Sequence, residues 1–328
     1  MVAWPPDGVR DFAFLRILGG MRVLVTGASG FIGQALVGAL TEAGMDVLGL
    51  SRSRDGDARY RRADVTDPAS LAGVCTGQDV VFHLAGIAHT QAPGASHEAV
   101  TVGGTRALVS EALRAGVRHF IYVSSIKAVC SEDEYAQSRF RAEELVRAAG
   151  FAACAIVRPA LVYSAGMRGN LDRLMKVARW RVPLPLPQGG ALRSLVHRDD
   201  VVRVLLALAS APKESVAYTV TDGEPYTLHA IYNLMRHGFG RPKAPYALPE
   251  WMLAATARAG DFVSRRTRRA CPFDSRALAP LLEACVSEDM RVWQDLGLAP
   301  RYTLARAMPA MVAAHKALHQ DVARAPHA

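Results

Sequence analysis

Short apolar runs alternate with helical segments along the first half of the chain. Runs rich in β-branched residues predict buried strands, and apolar residues at helical spacing that end near a glycine predict helices. The predicted strands cover residues 22–25, 46–50, 80–84, 119–123 and 153–157, and the predicted helices cover 31–43, 69–75, 98–115 and 134–149. This alternation predicts an α/β fold with a doubly wound parallel sheet.

The pattern changes after Pro159. Helices are predicted at 199–209 and 228–235 with one strand, 217–220, between them, and the remaining sequence is mostly helical with several prolines. Residues 1–20 show no sustained period. We therefore expect an N-terminal extension at 1–20, a sheet domain at 21–163, and a smaller, mostly helical lobe at 164–328 with one returning strand near 217–220.

Composition narrows the class of protein. Half of the residues are hydrophobic and 21% are charged, which is typical of a globular chain. No apolar run is long enough to span a bilayer, so no membrane span is expected. The net charge is +9, but only five of the 39 basic residues are Lys, and the Arg clusters lack interleaved aromatics for base stacking. A basic surface with sites for small anions is therefore favoured over nucleic-acid binding.

Cysteine usage and the N-terminal sequence bear on compartment and metals. The five cysteines are scattered without a CxxC pair, so we expect buried, reduced thiols and neither a disulfide framework nor a zinc site. No cluster of His, Asp, Glu and Cys has metal-ligand spacing, so no metal is expected. Charged residues interrupt the N-terminus, which lacks a signal-peptide pattern. These features predict a cytoplasmic protein.

The strongest motif lies between the first predicted strand and the first predicted helix. It is a G-x-x-G-x-x-G sequence formed by Gly27, Gly30 and Gly33. Such glycines permit a tight turn and the close approach of a pyrophosphate, which then binds at the helix N-terminus. A glycine-rich turn without a ligand is the alternative, but the strand–turn–helix context favours a dinucleotide-binding domain of the Rossmann type.

Several further segments accompany this motif: Asp64-Val65-Thr66-Asp67, His83-Leu84-Ala85-Gly86, Tyr122-Val123-Ser124-Ser125, Val157-Arg158-Pro159 and Arg193-x-x-x-His197-x-Asp199-Asp200. With them the chain resembles the extended short-chain dehydrogenase/reductase family, in its nucleotide-sugar epimerase and dehydratase branch. The resemblance implies a Rossmann sheet with a smaller substrate-binding lobe. It also implies an NAD(P)-dependent 4-epimerase or 4-keto reductase for a nucleotide-diphosphate sugar, and a homodimer paired through the helices 98–115 and 134–149. A non-catalytic dinucleotide-binding sensor or scaffold is the alternative.

The resemblance assigns a set of cofactor contacts. Gly27, Gly30, Gly33 and the backbone N–H groups of Phe31 and Ile32 would hold the pyrophosphate, Asp64 and Val65 would flank the adenine, and the remaining contacts would be Leu84, Ala85, Gly86 and Pro159. Arg52 stands near the position where NAD-preferring relatives carry Asp. A carboxylate there repels a 2′-phosphate whereas an Arg binds one, so NADP is favoured over NAD, with a surface Arg as the alternative.

The same resemblance assigns catalytic roles to Ser125, Tyr135 and Arg139. Tyr135 and Arg139 match a Tyr-x-x-x-Lys motif, in which residues i and i+4 share one helix face. The resemblance implies that the cation stabilises the phenolate. The phenolate would take a proton from a sugar hydroxyl while hydride passes from the same carbon to a nicotinamide.

Three departures from the family pattern predict an altered or weakened site. Arg139 replaces Lys, Thr101 replaces Asn, and Ser125 and Tyr135 lie only ten residues apart, which is roughly half the spacing in relatives and implies a shortened loop. Because guanidinium differs from ammonium in reach and hydrogen-bond directions, we expect Arg139→Lys to raise turnover.

Two residues beyond the sheet domain complete the set that the resemblance implies. Asn170 would contact the nucleotide-sugar, and Arg193 would bind its diphosphate, a role that the forked guanidinium suits. For Asn170, a helix N-cap is the alternative.

Overall fold

The computed structural model describes residues 20–53, 57–87, 96–167, 169–184, 186, 190–244, 258, 261, 266 and 283–324. The strands are β1 Arg22–Thr26, β2 Asp46–Ser51, β3 Tyr60–Arg62, β4 Val80–His83, β5 His119–Val123, β6 Ala153–Pro159, β7 Leu161–Tyr163, β8 Arg193–His197, β9 Val216–Val220 and β10 Pro225–Tyr226. The helices are α1 Phe31–Glu42, α2 Gly104–Arg114, α3 Lys127–Cys130, α4 Glu134–Ala148, α5 Asn170–Ala178, α6 Arg198–Ser210, α7 Leu228–Gly238, α8 Arg291–Asp295 and α9 Leu304–Arg324. A π-helical segment, Glu98–Gly103, leads directly into α2.

The chain divides into two compact units. The first contains Met1–Ala160, Arg198–Thr221 and Asp289–Pro300, and the second contains Leu161–His197, Asp222–Glu288 and Arg301–Ala328. The division that we expected between residues 163 and 164 thus lies between Ala160 and Leu161. The chain also returns to the first unit twice, with α6 and β9 and then with α8. The extension expected at 1–20 lies outside the described residues except for Gly20.

The first unit is built on the predicted parallel sheet. Its seven strands follow the order β3-β2-β1-β4-β5-β6-β9, and every neighbouring pair is parallel. The doubly wound α/β fold is therefore confirmed. Apolar side chains from the central strands, including Leu24, Val81, Phe120 and Ile156, form one buried cluster with residues of α2 and α4. Since β1, β4 and β5 are adjacent, their carboxyl ends bring the motif-bearing loops to one edge of the sheet.

The second unit contains a small mixed sheet, with the strand order β10-β8-β7. Strand β8 pairs in parallel with β7 and antiparallel with β10. Helix α7 packs against both α5 and α9. The sequence pattern missed all three strands. Of these, β7 and β10 are only three and two residues long and give no readable period.

Two local expectations were wrong, and one was incomplete. Residues 69–75 form successive turns, with i to i+3 bonds such as Leu71 N–H to the Pro68 carbonyl, because Gly73 takes a left-handed φ of 73° that a helix cannot accept. The helix expected at 98–115 is present, but its first six residues, Glu98–Gly103, have π-helical geometry. Cys75 and Cys154 are buried free thiols, but Cys130 and Cys285 are each in a disulfide bond. The cysteines no longer support a reducing compartment, and the cytoplasmic location stays a prediction.

In the part of the chain that the structure describes, no helix is both long and apolar enough to cross a membrane.

Candidate active site

The glycine turn at the end of β1 is shaped by contacts that leave no room for side chains. Gly27 has a φ of 66°, and a Cβ there would lie 2.9 Å from the backbone nitrogen of Ala85. A Cβ on Gly30 would lie 3.0 Å from the Gly27 carbonyl oxygen. A Cβ on Gly33 would overlap that oxygen and lie 2.9 Å from the Ala28 Cα. The three glycines therefore let the turn, the start of α1 and the loop after β4 pack backbone against backbone.

The N-terminus of α1 presents uncapped N–H groups at this turn. Its N-cap is Gly30, which has no side chain to accept a hydrogen bond, and its first turn carries no acidic residue. The N–H groups of Phe31 and Ile32 belong to this first turn. Open N–H donors and the positive end of the helix dipole suit a pyrophosphate. The residues present therefore fit the phosphate portion of a dinucleotide.

The residues expected around the adenine lie beyond β2 and β3. The Asp64 carboxylate accepts hydrogen bonds from the Thr66 N–H at 2.9 Å and the Thr66 hydroxyl at 2.8 Å. Although partial burial opposes ionisation, these bonds and the charge of Arg52 lower the pKa of Asp64. Arg52 is exposed just after β2, and Val65 is buried against Gly104 of α2. Arg52 and Asp64 thus lie close enough to interact.

A chain of buried hydrogen bonds joins β1, β4 and α2 below the glycine turn. The Thr105 hydroxyl donates to the Thr101 carbonyl at 2.5 Å, so it accepts from His83 Nε2 at 3.0 Å. His83 Nδ1 then accepts from the Thr26 hydroxyl at 2.7 Å, and Thr26 in turn accepts the N–H groups of Leu84 and Ala85. Every donor has an acceptor only when His83 is neutral with its proton on Nε2.

Burial enforces this neutral state. His83 is fully buried, and burial together with the charge of Arg139 lowers its pKa to about 3. The network therefore fixes the loop Leu84–Ala85–Gly86, which the dinucleotide is expected to follow, with a histidine that stays uncharged at neutral pH. His83 belongs to a sequence motif, but no local pattern in the sequence indicates this role.

Tyr135 and Arg139 come together on helix α4, as their spacing predicted. The helix begins at Glu134 with Asp133 as N-cap, whose carboxylate accepts the Ala136 N–H at 2.7 Å. The guanidinium carbon of Arg139 lies 5.3 Å from the centre of the Tyr135 ring. Tyr135 is half-buried, and the ring of His97 meets it edge-on at 5.7 Å.

Arg139 is buried and turned toward β5. Its Nη1 donates to the Tyr122 hydroxyl at 3.3 Å and to the Val123 carbonyl at 3.2 Å. A Cβ on Gly86 would lie 2.6 Å from Arg139 Nη2. Burial disfavours the charge, but the phenols of Tyr135 and Tyr122 more than offset it, so the pKa of Arg139 is raised. Arg139 therefore remains a cation between Tyr135 and the loop that contains Gly86.

Ser125 and Lys127 follow β5 on the loop that leads to Tyr135. The Ser125 hydroxyl accepts the Lys127 N–H at 3.3 Å and is half-buried. The Lys127 ammonium pairs with Asp133 at 2.7 Å. This pair ties the Ser125 loop to the start of α4. Pro159, at the end of β6, is buried, and its carbonyl accepts the Ile126 N–H on the same side of the sheet.

Thr101 occupies the π-helical segment where relatives are expected to carry Asn. Its side chain is fully buried, and its hydroxyl has no hydrogen-bond partner among the described residues. Its carbonyl accepts the Thr105 hydroxyl instead. The position therefore contributes backbone to the His83 network.

Asn170 and Arg193, the expected substrate contacts, belong to the second unit. Gly169 is the N-cap of α5, and Asn170 is its exposed first residue, so the N-cap alternative for Asn170 is wrong. Arg193 is buried in β8, and its Nη2 lies 3.5 Å from the Glu283 carbonyl oxygen. Burial lowers the pKa of Arg193. Among the described residues, no group of three or more His, Cys, Asp or Glu side chains is arranged to hold a metal ion.

Comparison with known proteins places these features in a family context. Residues 23–222 match the sequence model of the NAD dependent epimerase/dehydratase family. A UDP-glucose 4-epimerase from Vibrio cholerae is 26% identical over 262 residues, which cover 70% of this chain and 79% of that protein. A 4-hydroxy-2-methyl-3-oxo-4-farnesyl-3,4-dihydroquinoline-1-oxide ketoreductase from Stigmatella aurantiaca is 26% identical over 322 residues, which cover 89% of this chain and 96% of the relative.

Solved structures agree with the fold. MoeE5 in complex with UDP-glucuronic acid and NAD superposes with a TM-score of 0.69 at 22% identity, over 90% of this chain and 99% of that one. At this identity the likeness concerns the fold alone.

Proposed function

We propose a function for this chain, which belongs to the NAD dependent epimerase/dehydratase family. The protein moves hydride between a nicotinamide dinucleotide and a carbinol or ketone carbon of a nucleotide-diphosphate sugar. The reaction would be a 4-epimerisation or the reduction of a 4-keto sugar. The observation that carries the proposal is the pairing of Tyr135 with the buried Arg139 cation, beside the loop that contains Gly86.

Each residue of the proposed site has one task. When bound, the nicotinamide ring supplies or accepts the hydride. In reduction, the Tyr135 hydroxyl gives its proton to the ketone oxygen, and in oxidation the phenolate takes it back. Arg139 stabilises the phenolate, and the Ser125 hydroxyl would donate a hydrogen bond to the substrate oxygen. An epimerase performs both half-reactions, on opposite faces of the same carbon.

For the cofactor we propose NADP, with NAD as the alternative. The support is Arg52, an exposed cation just after β2, where it would meet a 2′-phosphate. The uncapped start of α1 would receive the pyrophosphate of either dinucleotide.

One observation favours a second substrate class. Arg193, expected to bind the sugar diphosphate, is buried with Nη2 against the Glu283 carbonyl. A ketone without a diphosphate would need no such Arg, and the Stigmatella relative is a ketoreductase. Reduction of an apolar ketone by the same Tyr135 chemistry is therefore the second candidate.

A substrate panel separates these possibilities. Purified protein is incubated with NADPH or NADH and either nucleotide-sugars and their 4-keto forms or long-chain 3-oxo compounds, and nicotinamide absorbance and products are followed. We expect turnover of one class, with Tyr135→Phe reducing kcat at least about a thousandfold because the proton donor is lost. Tyr218→Phe, which removes a hydroxyl bonded to Asp295, is the matched control and should keep activity.

The contrary outcomes are distinct. Activity that survives in Tyr135→Phe would show that the site is misassigned. Tight dinucleotide binding without turnover of any compound would favour the sensor or scaffold alternative.

A further inference from the structure

The Arg139 guanidinium is a buried cation without a carboxylate partner in the described part of the chain. The residue is only 4% exposed, and its Nη1 donates hydrogen bonds to two neutral groups, the Tyr122 hydroxyl and the Val123 carbonyl. Its Nε is buried and has no hydrogen-bond partner among the described residues. A buried charge in such surroundings is costly to folding. This cost indicates that the Arg139 guanidinium serves a purpose other than stabilising the fold.

The contacts of the guanidinium decide which of its atoms face the cofactor loop. Nη1 is engaged by β5, and Nη2 is the atom nearest to the position of a Cβ on Gly86. Swinging Nη1 away from β5 would move Nη2 as well, because the guanidinium is rigid and planar. The two acceptors on β5 therefore orient the edge of Arg139 that faces Gly86.

Of the two acceptors, only the Tyr122 hydroxyl belongs to a side chain, since the Val123 acceptor is a backbone carbonyl. Tyr122 is fully buried, and its ring lies 5.4 Å from that of His83. A Phe at this position would keep that packing but leave Nη1 with the Val123 carbonyl alone. A lysine at position 139 would carry a single compact ammonium and could not span Tyr122, Val123 and the Gly86 loop in the same way.

We infer that Tyr122 is a positioning residue that adapts this site to arginine: its hydroxyl holds Arg139 so that the cation stays beside Tyr135 and presents Nη2 to the nicotinamide half of the dinucleotide. This inference rests on the proposed function. It also revises an expectation from sequence, because a site fitted to Arg139 should lose activity in Arg139→Lys.

The test measures dinucleotide affinity by calorimetry and turnover by steady-state kinetics. Tyr122→Phe should weaken binding of the preferred dinucleotide by about fivefold, since one hydrogen bond to a cation is lost, while ADP, which lacks the nicotinamide ribose, binds unchanged. Turnover should fall by about tenfold in kcat with little change in KM. In the Arg139→Lys background, Tyr122→Phe should change both quantities by less than about twofold. Tyr218→Phe, which also loses one hydroxyl from the first unit, should change neither.

The outcomes that overturn the inference differ from those that overturn the proposed function. Equal losses from Tyr122→Phe with Arg or Lys at position 139, or equal weakening of ADP and dinucleotide, would show a merely structural role. A parent protein that binds the dinucleotide no better than ADP, or full activity in Tyr135→Phe, would refute the proposed function, and the inference with it.

Discussion

Arg139 carries the positive charge of a lysine at this position but is oriented by different hydrogen bonds. Arg139 retains the cation of the Tyr-x-x-x-Lys pattern, but its fork reaches past Tyr135 to Tyr122 and the Val123 carbonyl. The spacing of Tyr135 and Arg139 predicted their proximity correctly. Nothing in that spacing indicates Tyr122, because it lies on a different element. A tyrosine in the buried strand before the Ser125 loop was the available signal.

Gly30 allows a test of the glycine turn as the phosphate-binding part of the cofactor site. In Gly30→Ala the new Cβ would lie 3.0 Å from the Gly27 carbonyl and occupy the approach to the α1 N-terminus. We expect dinucleotide affinity to fall at least about tenfold, or 1.4 kcal/mol, as measured by calorimetry.

The control for Gly30 is Gly44→Ala. Gly44 has a φ of 79° and open space around its Cβ position. Alanine there should cost about 1 kcal/mol of stability because of the left-handed backbone, and it should leave the glycine turn at α1 unchanged. Unchanged affinity in Gly30→Ala, or an equal loss in Gly44→Ala, would contradict the assignment of the turn to phosphate binding.

At the scale of elements, the buried network around His83 fastens three segments of the sheet edge. It links the end of β1, the loop after β4 and the start of α2 through Thr26, His83 and Thr105. Burial and the charge of Arg139 favour the neutral form of His83 in the folded state, so its pKa of about 3 lies below the ordinary value of 6.5. Between these pH values the unfolded chain binds a proton that the folded chain excludes, so the free energy of unfolding falls as pH decreases.

This difference predicts an acid sensitivity that depends on His83. Between pH 7 and pH 5, the His83 contribution should lower the free energy of unfolding by about 2 kcal/mol. His83→Gln, which does not titrate, should be less stable than the parent at pH 7 but should lose less stability on acidification. Urea unfolding at the two pH values measures both effects. The same pH dependence in parent and variant would show that His83 titrates normally in the folded protein.

Long elements of the sheet unit were predictable, and short ones were not. β1 and α4 were found because their apolar periodicity and flanking glycines are strong local signals. β3 carries two arginines in three residues and has no apolar pattern. The failed helix at 69–75 contains suitable apolar residues, but Gly73 adopts a left-handed conformation that periodicity does not report. Contacts between distant segments, such as Thr105 with His83, follow from the tertiary fold and had no local signal.

At the scale of the whole molecule, the exposed apolar residues on α2 and α4 bear on assembly. These helices pack against each other, and Leu113 and Phe140 on them are 45% and 40% exposed. We propose that this pair of helices meets the same pair of a second copy, which would bury both side chains.

The dimer proposal is tested by light scattering at micromolar concentration. The parent should give the mass of two chains, and Phe140→Glu should shift it toward the mass of one, because burying an unpaired carboxylate opposes association. Val129→Glu, at an exposed apolar site on α3, should leave the mass unchanged. A monomeric parent, or a dimer indifferent to Phe140→Glu, would contradict the proposed interface.

Isotope transfer shows directly whether Tyr135 and Arg139 serve a hydride transfer. The parent protein is given the reduced dinucleotide deuterated at the transferring carbon together with the keto form of the substrate class selected by the panel, which an epimerase or a reductase would reduce, and the product is analysed by mass spectrometry. We expect deuterium on the carbinol carbon with the parent, and deuterium transfer slower by at least about a thousandfold with Tyr135→Phe. A parent that binds dinucleotide and substrate but transfers no deuterium, or a Tyr135→Phe variant that transfers it as fast as the parent, would contradict the proposed chemistry.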